Sequence, residues 1–511
     1  MFPRDLLWRP PRSINETEIE LLYKRNSKEN KSFAKNGSRV RIHYTGRLVH
    51  SGCVFDGSRS KNGGVPFEFT VGDGSVVPGM DDAVRAISLG EACRARVPPS
   101  RGYGQNGVHR LIPCNTAIIF DVILLGIDNQ EVSAEEAQLA TVNFLQDDGF
   151  SIEVIQRFKA PPELQAFVQL YKKLKDQKTA WLSALKGSRE VPNYQGKRWV
   201  GLSNVGSEGL CVLDSTFLDC SWSRLRETWT WDFLQAPGWP KENLVLAKLK
   251  APIRPDENLN DIAIVETTIS SFVKYMLKID PFDEEVPRFY VNGWQPSEFK
   301  VFGNDQSLKI PIVEDLTLSH MTDFEIEVNA LLFGRDDKKA VSRACANAQA
   351  NSDKLNKVFI GPAGATTRLH QDNHGAHARL TMLKGSKLYI AFHPQDAPNL
   401  YPPSASYIAE NQTPRTASST SHYSPIDPLN PNLDKYPNYK HATPYLALLT
   451  EGESLLLPKN WWHCAYSLSP SITVMRNFWS SSNIDDLIQL QKRELEMKLR
   501  ALKAAGLLRT S

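Results

Sequence analysis

The segment Thr366-Thr-Arg-Leu-His370-Gln-Asp372 is the most informative stretch for the fold of the C-terminal half of the chain. His370 and Asp372 lie two residues apart, so on a β-strand both side chains leave the same face. Further along, the segment from Glu451 to His463 predicts a turn followed by a strand that delivers a second imidazole. Two imidazoles and one carboxylate that leave coordination positions open suit Fe(II) and oxygen chemistry better than a closed zinc site. We therefore predict that His370, Asp372 and His463 ligate iron.

A cation is expected close to these ligands. The segment Lys384-Gly-Ser-Lys387-Leu-Tyr-Ile-Ala-Phe indicates a turn that enters a strand, with Lys387 facing inward. A lone ammonium inside an apolar barrel needs an anionic partner. Thr367 precedes His370 by three residues, and an odd offset points to opposite faces of a regular strand, so Thr367 can face inward only across a turn or bulge.

These motifs resemble those of the JmjC (cupin-like) 2-oxoglutarate oxygenases over roughly residues 195–483. The resemblance rests also on Phe359-Ile-Gly-Pro-Ala-Gly, Pro458-x-x-Trp-Trp-His463 and Asn477-Phe-Trp. It implies two cofactors, Fe(II) and 2-oxoglutarate. It further implies that Lys387 and Thr367 hold the distal carboxylate of 2-oxoglutarate, while Asn477 lies beside the metal and the co-substrate.

A second set of motifs occupies the N-terminal part of the chain. Apolar or alternating runs bounded by glycine turns, from Gly37 to Gly46 and from Ile119 to Ile127, predict short antiparallel strands. With Phe55-Asp56-Gly, Val76-Val-Pro-Gly-Met80 and Gly102-Tyr103-Gly between them, these runs resemble the FKBP-type peptidyl-prolyl isomerases.

The FKBP resemblance implies an apolar cradle for a proline ring, with Asp56 and the Tyr103 hydroxyl as polar contacts and the Val77 N–H as donor to a substrate carbonyl. The residues expected to line it are Tyr44, Phe55, Phe67, Val76, Val77, Met80, Ile112 and Phe120. Met80 departs from the family, which usually has a tryptophan at the floor. Methionine keeps a large, adaptable apolar surface, so we expect altered affinity and weaker isomerisation, and a module that only binds prolyl segments is the alternative.

Composition sets few limits on function. The 511 residues are 41% hydrophobic and 23% charged with a formal net charge of +3, which is ordinary for a globular protein with two or three domains. No concentrated Lys/Arg tract predicts direct nucleic-acid binding. Seven cysteines without a Cys-x-x-Cys spacing predict reduced thiols, hence a cytoplasmic or nuclear protein. No apolar run approaches the ~18 residues that a membrane span requires.

We predict a multidomain chain that combines an α+β FKBP antiparallel half-barrel, a helical connector and a mainly-β double-stranded β-helix (JmjC/cupin) with flanking helices. The expected parts are a disordered N-terminal arm at 1–29, the FKBP domain at 30–130, the connector at 131–194, the oxygenase at 195–483 and a C-terminal helix at 484–511. Ser133 and Glu136 have the spacing of a capping box that opens the connector. The C-terminal helix is expected either to pack on its own barrel or to form a homodimer contact.

The predicted activity is peptidyl-prolyl isomerisation of X-Pro segments joined to Fe(II)- and 2-oxoglutarate-dependent hydroxylation of a protein side chain. One alternative is N-methyl-lysine demethylation, which is disfavoured because no zinc-ligand spacing indicates a chromatin-reading module. The other is an interaction protein that presents prolyl segments without catalysis.

Overall fold

The computed structural model describes most of both predicted catalytic domains and less of the chain between them. The described residues are 10–25, 31–49, 54–58, 65–108, 111–133, 136–137, 160, 162–174, 185, 187–194, 209–213, 226–235, 244–248, 264–295, 316–333, 338–402 and 423–504. They form two compact units. The first comprises Met1–Pro161 with Trp231–Asn292, and the second Pro162–Thr230 with Gly293–Ser511.

In chain order, the described helices are α1 (Pro78–Ala86), α2 (Pro162–Leu174), α3 (Trp231–Gln235), α4 (Ile269–Met276), α5 (Thr317–Phe333), α6 (Lys338–Asp353) and α7 (Ile484–Ala504). The strands before residue 300 are β1 (Glu18–Tyr23), β2 (Arg39–Leu48), β3 (Val54–Gly57), β4 (Phe67–Thr70), β5 (Ala92–Val97), β6 (Ile118–Ile127), β7 (Gln130–Glu131), β8 (Arg189–Glu190), β9 (Asn193–Tyr194), β10 (Cys211–Leu213), β11 (Leu244–Lys248), β12 (Ile264–Thr268) and β13 (Tyr290–Trp294). Those after it are β14 (Asn356–Gly361), β15 (Thr366–His370), β16 (His377–Lys384), β17 (Lys387–Phe392), β18 (Tyr445–Leu449), β19 (Ser454–Leu457), β20 (Trp462–Ser467) and β21 (Ser471–Phe478).

The N-terminal sheet is antiparallel, as the sequence predicted. Its order is β1-β5-β6-β2-β3, with β4 on β2 and β7 on β6. Strand β6 is buried along its whole length because it lies between β5 and β2 and packs under α1 and the loops. Helix α1 begins at Pro78, whose ring suits the first helical turn, and buries Met80 and Val84 in the same core.

The expectation of a disordered arm over 1–29 is wrong for Glu18–Tyr23, which form β1 and pair with β5. The alternation of Glu18-Ile-Glu-Leu was a short signal for a strand, and the sequence reasoning missed it. It is ordered by the edge of β5 and by side-chain contacts. Glu20 forms an ion pair with Arg96 at 2.7 Å, and Thr17 Oγ1 donates to Asp82 at 2.6 Å.

In the same unit, β11 pairs antiparallel with both β12 and β13, and the Thr268 side chain caps α4 by accepting from the Ser271 N–H.

Two β-sheets build the C-terminal unit. Strands β14, β21, β16, β19, β10 and β9 follow one another in the first, and the second has the order β15-β20-β17-β18-β8. Their inner faces supply one apolar cluster, in which Leu380 and Met475 of the first sheet join Tyr389 and Ala447 of the second. This is the predicted cupin-like, mainly-β architecture.

The predicted connector over 131–194 is partly helical. Its capping box is confirmed, since the Glu136 N–H donates to Ser133 Oγ and the Ser133 N–H to Glu136 Oε2, both at 3.2 Å. Helix α2 is the described helix of the connector, and residues 138–159 lie outside the described part of the chain. The end of the connector is a correction. Strands β8 and β9 pair in parallel with β18 and β10, so residues 189–194 belong to the cupin sheets.

The C-terminal helix begins at Ile484 as predicted. Its first half packs on its own domain, where Leu487 is buried against Trp479 and Ala376 and the Gln491 amide donates to the His320 carbonyl at 2.6 Å. In the described part of the chain, the five cysteines carry free thiols, and no helix combines the length and apolarity needed to cross a membrane.

Candidate functional site

Five aromatic rings form the centre of the N-terminal site. Phe55 lies edge-on to Phe120, with ring centroids 5.9 Å apart, and to Tyr103 at 6.1 Å. Tyr44 makes the same kind of contact with Phe120 at 6.2 Å and with Phe67 at 5.6 Å. Such edge-to-face pairs are stabilising and set the rings at fixed angles. The rings come from β2, β3, β4 and β6 and from the turn that contains Tyr103.

The structure brings the other predicted apolar residues into the same cluster. Met80 and Ile112 are each 3% exposed within it, and Val76 and Val77 pack against it from the residues that precede α1. Asp56 follows Phe55 on β3, and its Oδ1 accepts from the Gly57 N–H at 2.8 Å. Nine of the ten positions predicted for this site therefore converge, although they are spread over more than seventy residues of sequence.

Gly46 is a feature of this site that the sequence reasoning missed. A Cβ atom at position 46 would lie 2.6 Å from Phe55 Cζ and 3.0 Å from Phe120 Cε1. Only glycine lets the two rings approach the β2 backbone so closely. A glycine inside a predicted strand is a general signal for such an approach, and it was available in the sequence.

His370, Asp372 and His463 form the candidate metal centre of the C-terminal unit. One ligand atom from each lies within 4.8 Å of the others. His370 Nε2 is 3.9 Å from Asp372 Oδ1, and the two imidazole ring centroids are 4.2 Å apart. Strands β15 and β20 place His370 directly opposite His463, which is why two residues distant in sequence meet.

Both imidazoles are held in the same tautomer. His370 Nδ1 lies 2.7 Å from the Arg368 carbonyl oxygen, and His463 Nδ1 lies 3.3 Å from that of Trp461. A carbonyl oxygen only accepts, so each Nδ1 carries the proton and each Nε2 presents a lone pair. Burial lowers the pKa of His370 and lowers that of His463 to about 4, which keeps both rings neutral and available as ligands near neutral pH.

Thr367 reaches the inner face through the bulge that its odd offset required. The register of β15 against β20 shifts between Thr367 and His370. The Thr367 hydroxyl accepts from the Ala465 N–H at 3.0 Å, which fixes its direction beside the metal ligands.

Lys387 is buried, with 1% of its surface exposed, on the inner face of β17. Its Nζ lies 5.8 Å from the centre of the Phe359 ring. Burial lowers the pKa of Lys387 to about 7, because desolvation penalises the ammonium.

The remaining electrostatics converge on Asp372. Burial opposes its ionisation, but His463, His370, Lys357 and a hydrogen bond from Asn477 together hold its pKa below the ordinary value. Asn477 Nδ2 donates to Asp372 Oδ2 at 3.1 Å, and Lys357 Nζ donates to Asn477 Oδ1 at 3.1 Å. Lys357 was not among the residues predicted for the site.

The donor set fits a divalent first-row transition metal. Two imidazole nitrogens and one carboxylate oxygen on one side leave further coordination positions for small ligands, as in non-heme iron oxygenases. Lys387 on β17 and Thr367 on β15 belong to the same sheet as His370 and His463.

Comparisons with known proteins agree with both halves of this description. A family model for the FKBP-type peptidyl-prolyl cis-trans isomerases matches residues 30–125. FK506-binding protein 2 of Dictyostelium discoideum is 46% identical over 94 residues, which are 18% of this chain and 68% of that protein. FK506-binding protein 1A of Aspergillus fumigatus is 45% identical over 98 residues, 19% of this chain and 85% of that protein. The chain belongs to the FKBP family.

The FKBP module is followed by a cupin-like domain of the JmjC type. A family model for the cupin-like domain matches residues 255–486, which include all three candidate metal ligands. HSPB1-associated protein 1 of Homo sapiens is 31% identical over 148 residues, which are 29% of this chain but 28% of that protein. The FKBP family recognised in the sequence is thus confirmed, and so is a cupin-like domain in the C-terminal half.

The close contact at Gly46 generates a prediction for the FKBP module. Gly46→Ala should displace the Phe55 ring and destabilise the module by about 1–3 kcal/mol, the usual cost of overpacking. The free energy of unfolding of a fragment covering residues 10–137, followed by near-ultraviolet circular dichroism, measures the effect. Adding Phe55→Leu to Gly46→Ala should recover part of the loss, since the smaller side chain leaves room for the new methyl group. Equal stability of wild type and Gly46→Ala would contradict the packing described.

Proposed function

We propose that this chain is a peptidyl-prolyl cis-trans isomerase joined to an Fe(II)- and 2-oxoglutarate-dependent protein hydroxylase. The observation that carries the oxygenase half is the trio of His370, Asp372 and His463, with both imidazoles turned by backbone carbonyls to present Nε2. The isomerase half is supported by the aromatic cradle and by the FKBP relatives.

The cradle's composition suits isomerisation because the reaction breaks and forms no covalent bond. The barrier is the loss of amide resonance, about 18–20 kcal/mol, and no nucleophile is needed to lower it. Phe55, Phe120 and Tyr44 would enclose the proline ring in an apolar surface that favours the less polar, twisted amide. Asp56 and the Tyr103 hydroxyl would make the polar contacts to that twisted peptide.

In the cupin-like domain, His370, Asp372 and His463 would hold Fe(II), which when bound supplies the oxygen chemistry that is coupled to conversion of 2-oxoglutarate to succinate and carbon dioxide. Lys387 and Thr367 would hold the distal carboxylate of 2-oxoglutarate. Both imidazoles are neutral and donate from Nδ1 to backbone carbonyls, so each Nε2 could bind the metal without first losing a proton.

Hydroxylation is favoured over N-methyl-lysine demethylation by the charge beside the metal ligands. The side-chain amide of Asn477 lies between Lys357 Nζ and Asp372 and makes one hydrogen bond of 3.1 Å to each. A methylated lysine would bring a second cation towards this ammonium in a partly desolvated space, where like charges repel more strongly than in water. A neutral or anionic side chain avoids that cost.

Prolyl segments are the proposed ligands of the FKBP module, and the reduced thiols support a cytoplasmic or nuclear site of action.

The isomerase half is tested on the full chain with a peptide that has an apolar residue before proline. The wild type should be active, Phe120→Ala should lower kcat/KM at least tenfold, and Met80→Trp should raise it because a rigid indole offers a larger fixed surface at the cradle floor. Isomerisation is followed by NMR exchange. If wild type and Met80→Trp bind the peptide without isomerising it, the module is a docking domain.

The oxygenase half is tested by incubating the chain with Fe(II), 2-oxoglutarate and a cell extract. Succinate should form in the wild type and fall to the protein-free background in Asp372→Ala and His463→Ala, while the exposed His441→Ala is the matched control. Mass spectrometry of the extract proteins should show one added oxygen. Release of formaldehyde with loss of a methyl group would assign demethylation instead, and succinate formation that survives both substitutions would remove the metal assignment.

The pKa of Lys387 predicts how co-substrate binding depends on pH. As the pH rises through about 7, the free chain loses the Lys387 proton and with it the charge that attracts a carboxylate. The Kd for 2-oxoglutarate should therefore increase by roughly tenfold per pH unit above that value. Calorimetric titration from pH 6.5 to 8.5, with Mn(II) in place of Fe(II), measures it. Lys387→Arg keeps its charge throughout and should show a flat profile. A flat wild-type profile would place the carboxylate anchor elsewhere.

A further inference from the structure

Asn477 lies between Lys357 and Asp372 on the inner face of the first cupin sheet. Strand β14 places Lys357 opposite Met475 of β21, so Asn477, two residues further along β21, is its diagonal neighbour on the same face. Asn477 is buried at 6% exposure, and Lys357 is half-buried. The chain of contacts runs from Lys357 Nζ to Asn477 Oδ1 and from Asn477 Nδ2 to Asp372 Oδ2, each at 3.1 Å.

The chemistry of the two end groups leaves one orientation for the Asn477 amide. An ammonium only donates, so the atom that faces Lys357 must be the amide oxygen. An ionised carboxylate only accepts, so the atom that faces Asp372 must be the amide nitrogen. A flipped amide would lose both hydrogen bonds and set donor against donor and acceptor against acceptor. Lys357 thereby selects the amide orientation that serves Asp372.

The contact also distinguishes the two oxygens of the Asp372 carboxylate. Oδ2 is occupied by the Asn477 amide, whereas Oδ1 lies 3.9 Å from His370 Nε2, on the side of the other ligand atoms. We propose that Lys357 is a positioning residue that acts through Asn477 to aim Oδ1 of Asp372 at the metal as a monodentate ligand. This inference rests on the proposed metal centre. Lys357 contacts Asn477, which in turn contacts the ligand Asp372.

The position of Lys357 is itself determined by the fold. Its backbone is fixed by the β14–β21 pairing, and its side-chain stem passes Gly293, where an added Cβ would come within 3.8 Å of Lys357 Cδ.

The test is equilibrium binding of Co(II) to the full chain, read from its visible absorption spectrum, which reports ligand geometry as well as occupancy. Lys357→Met should weaken Co(II) binding by about tenfold, the lower end of the range for residues behind a metal ligand, and should shift the spectrum. Lys357→Arg still donates to Asn477 Oδ1 and should restore much of both. Asn477→Asp should be the weakest binder, because it replaces the donor to Asp372 with a second carboxylate.

Lys354→Met is the matched control, since it removes one exposed lysine just before β14 and should bind Co(II) as the wild type does. Tryptophan fluorescence shows whether each variant is folded, because residues 30–130 contain no tryptophan and the signal comes from the rest of the chain. The proposal is overturned if Lys357→Met has the wild-type affinity and spectrum. A wild type that binds Co(II) with this dependence but forms no succinate would instead refute the proposed oxygenase function, and a wild type that binds no Co(II) would refute both.

Discussion

The pairing of His370 with His463 across strands β15 and β20 is the constraint on which the C-terminal site depends. Cross-strand partners in an antiparallel pair have their Cβ atoms about 4.5–5.5 Å apart, a separation that lets two imidazoles share one metal. A shift of one residue in register would turn either ring to the other face of the sheet. The bulge between Thr367 and His370 preserves this pairing and also brings Thr367 inward. One irregularity therefore positions both the ligand His370 and Thr367, the residue proposed to bind the co-substrate.

The two candidate sites of this protein use opposite physical means. The FKBP cradle is built from aromatic rings in edge-to-face contact. The Phe55 and Phe120 rings can approach the β2 backbone closely because Gly46 has no side chain. The cupin site concentrates ionisable groups in a desolvated space, where burial lowers the pKa of Lys387 to about 7 and that of His463 to about 4. These differences match the proposed reactions. Rotation about an amide bond needs an apolar enclosure, whereas oxygen chemistry needs metal ligands and charged groups.

Asp372 illustrates how buried charges are made tolerable in this fold. Its carboxylate is surrounded by two imidazoles, accepts from Asn477 and feels the ammonium of Lys357, and together these outweigh the penalty of burial. A buried charge without such partners would be neutralised instead. Burial likewise opposes the charged form of Lys387 and lowers its pKa to about 7.

The sequence by itself determined both families, the three candidate metal ligands, the inward Lys387 and the order of the cradle residues, because each follows from short-range spacing or from motifs of a few residues. It also indicated that Thr367 could face inward with His370 only across a turn or bulge, and a register shift lies between these two residues. It did not predict strand β1, which needs the edge of β5, or the pairing of residues 189–194 with the cupin sheets. Nor did it predict Lys357 or the hydrogen bonds that join Lys357 to Asn477 and Asn477 to Asp372, which link residues 120 and 105 positions apart in sequence. Such contacts are decided by strand register across the whole sheet, and only the tertiary structure specifies that register.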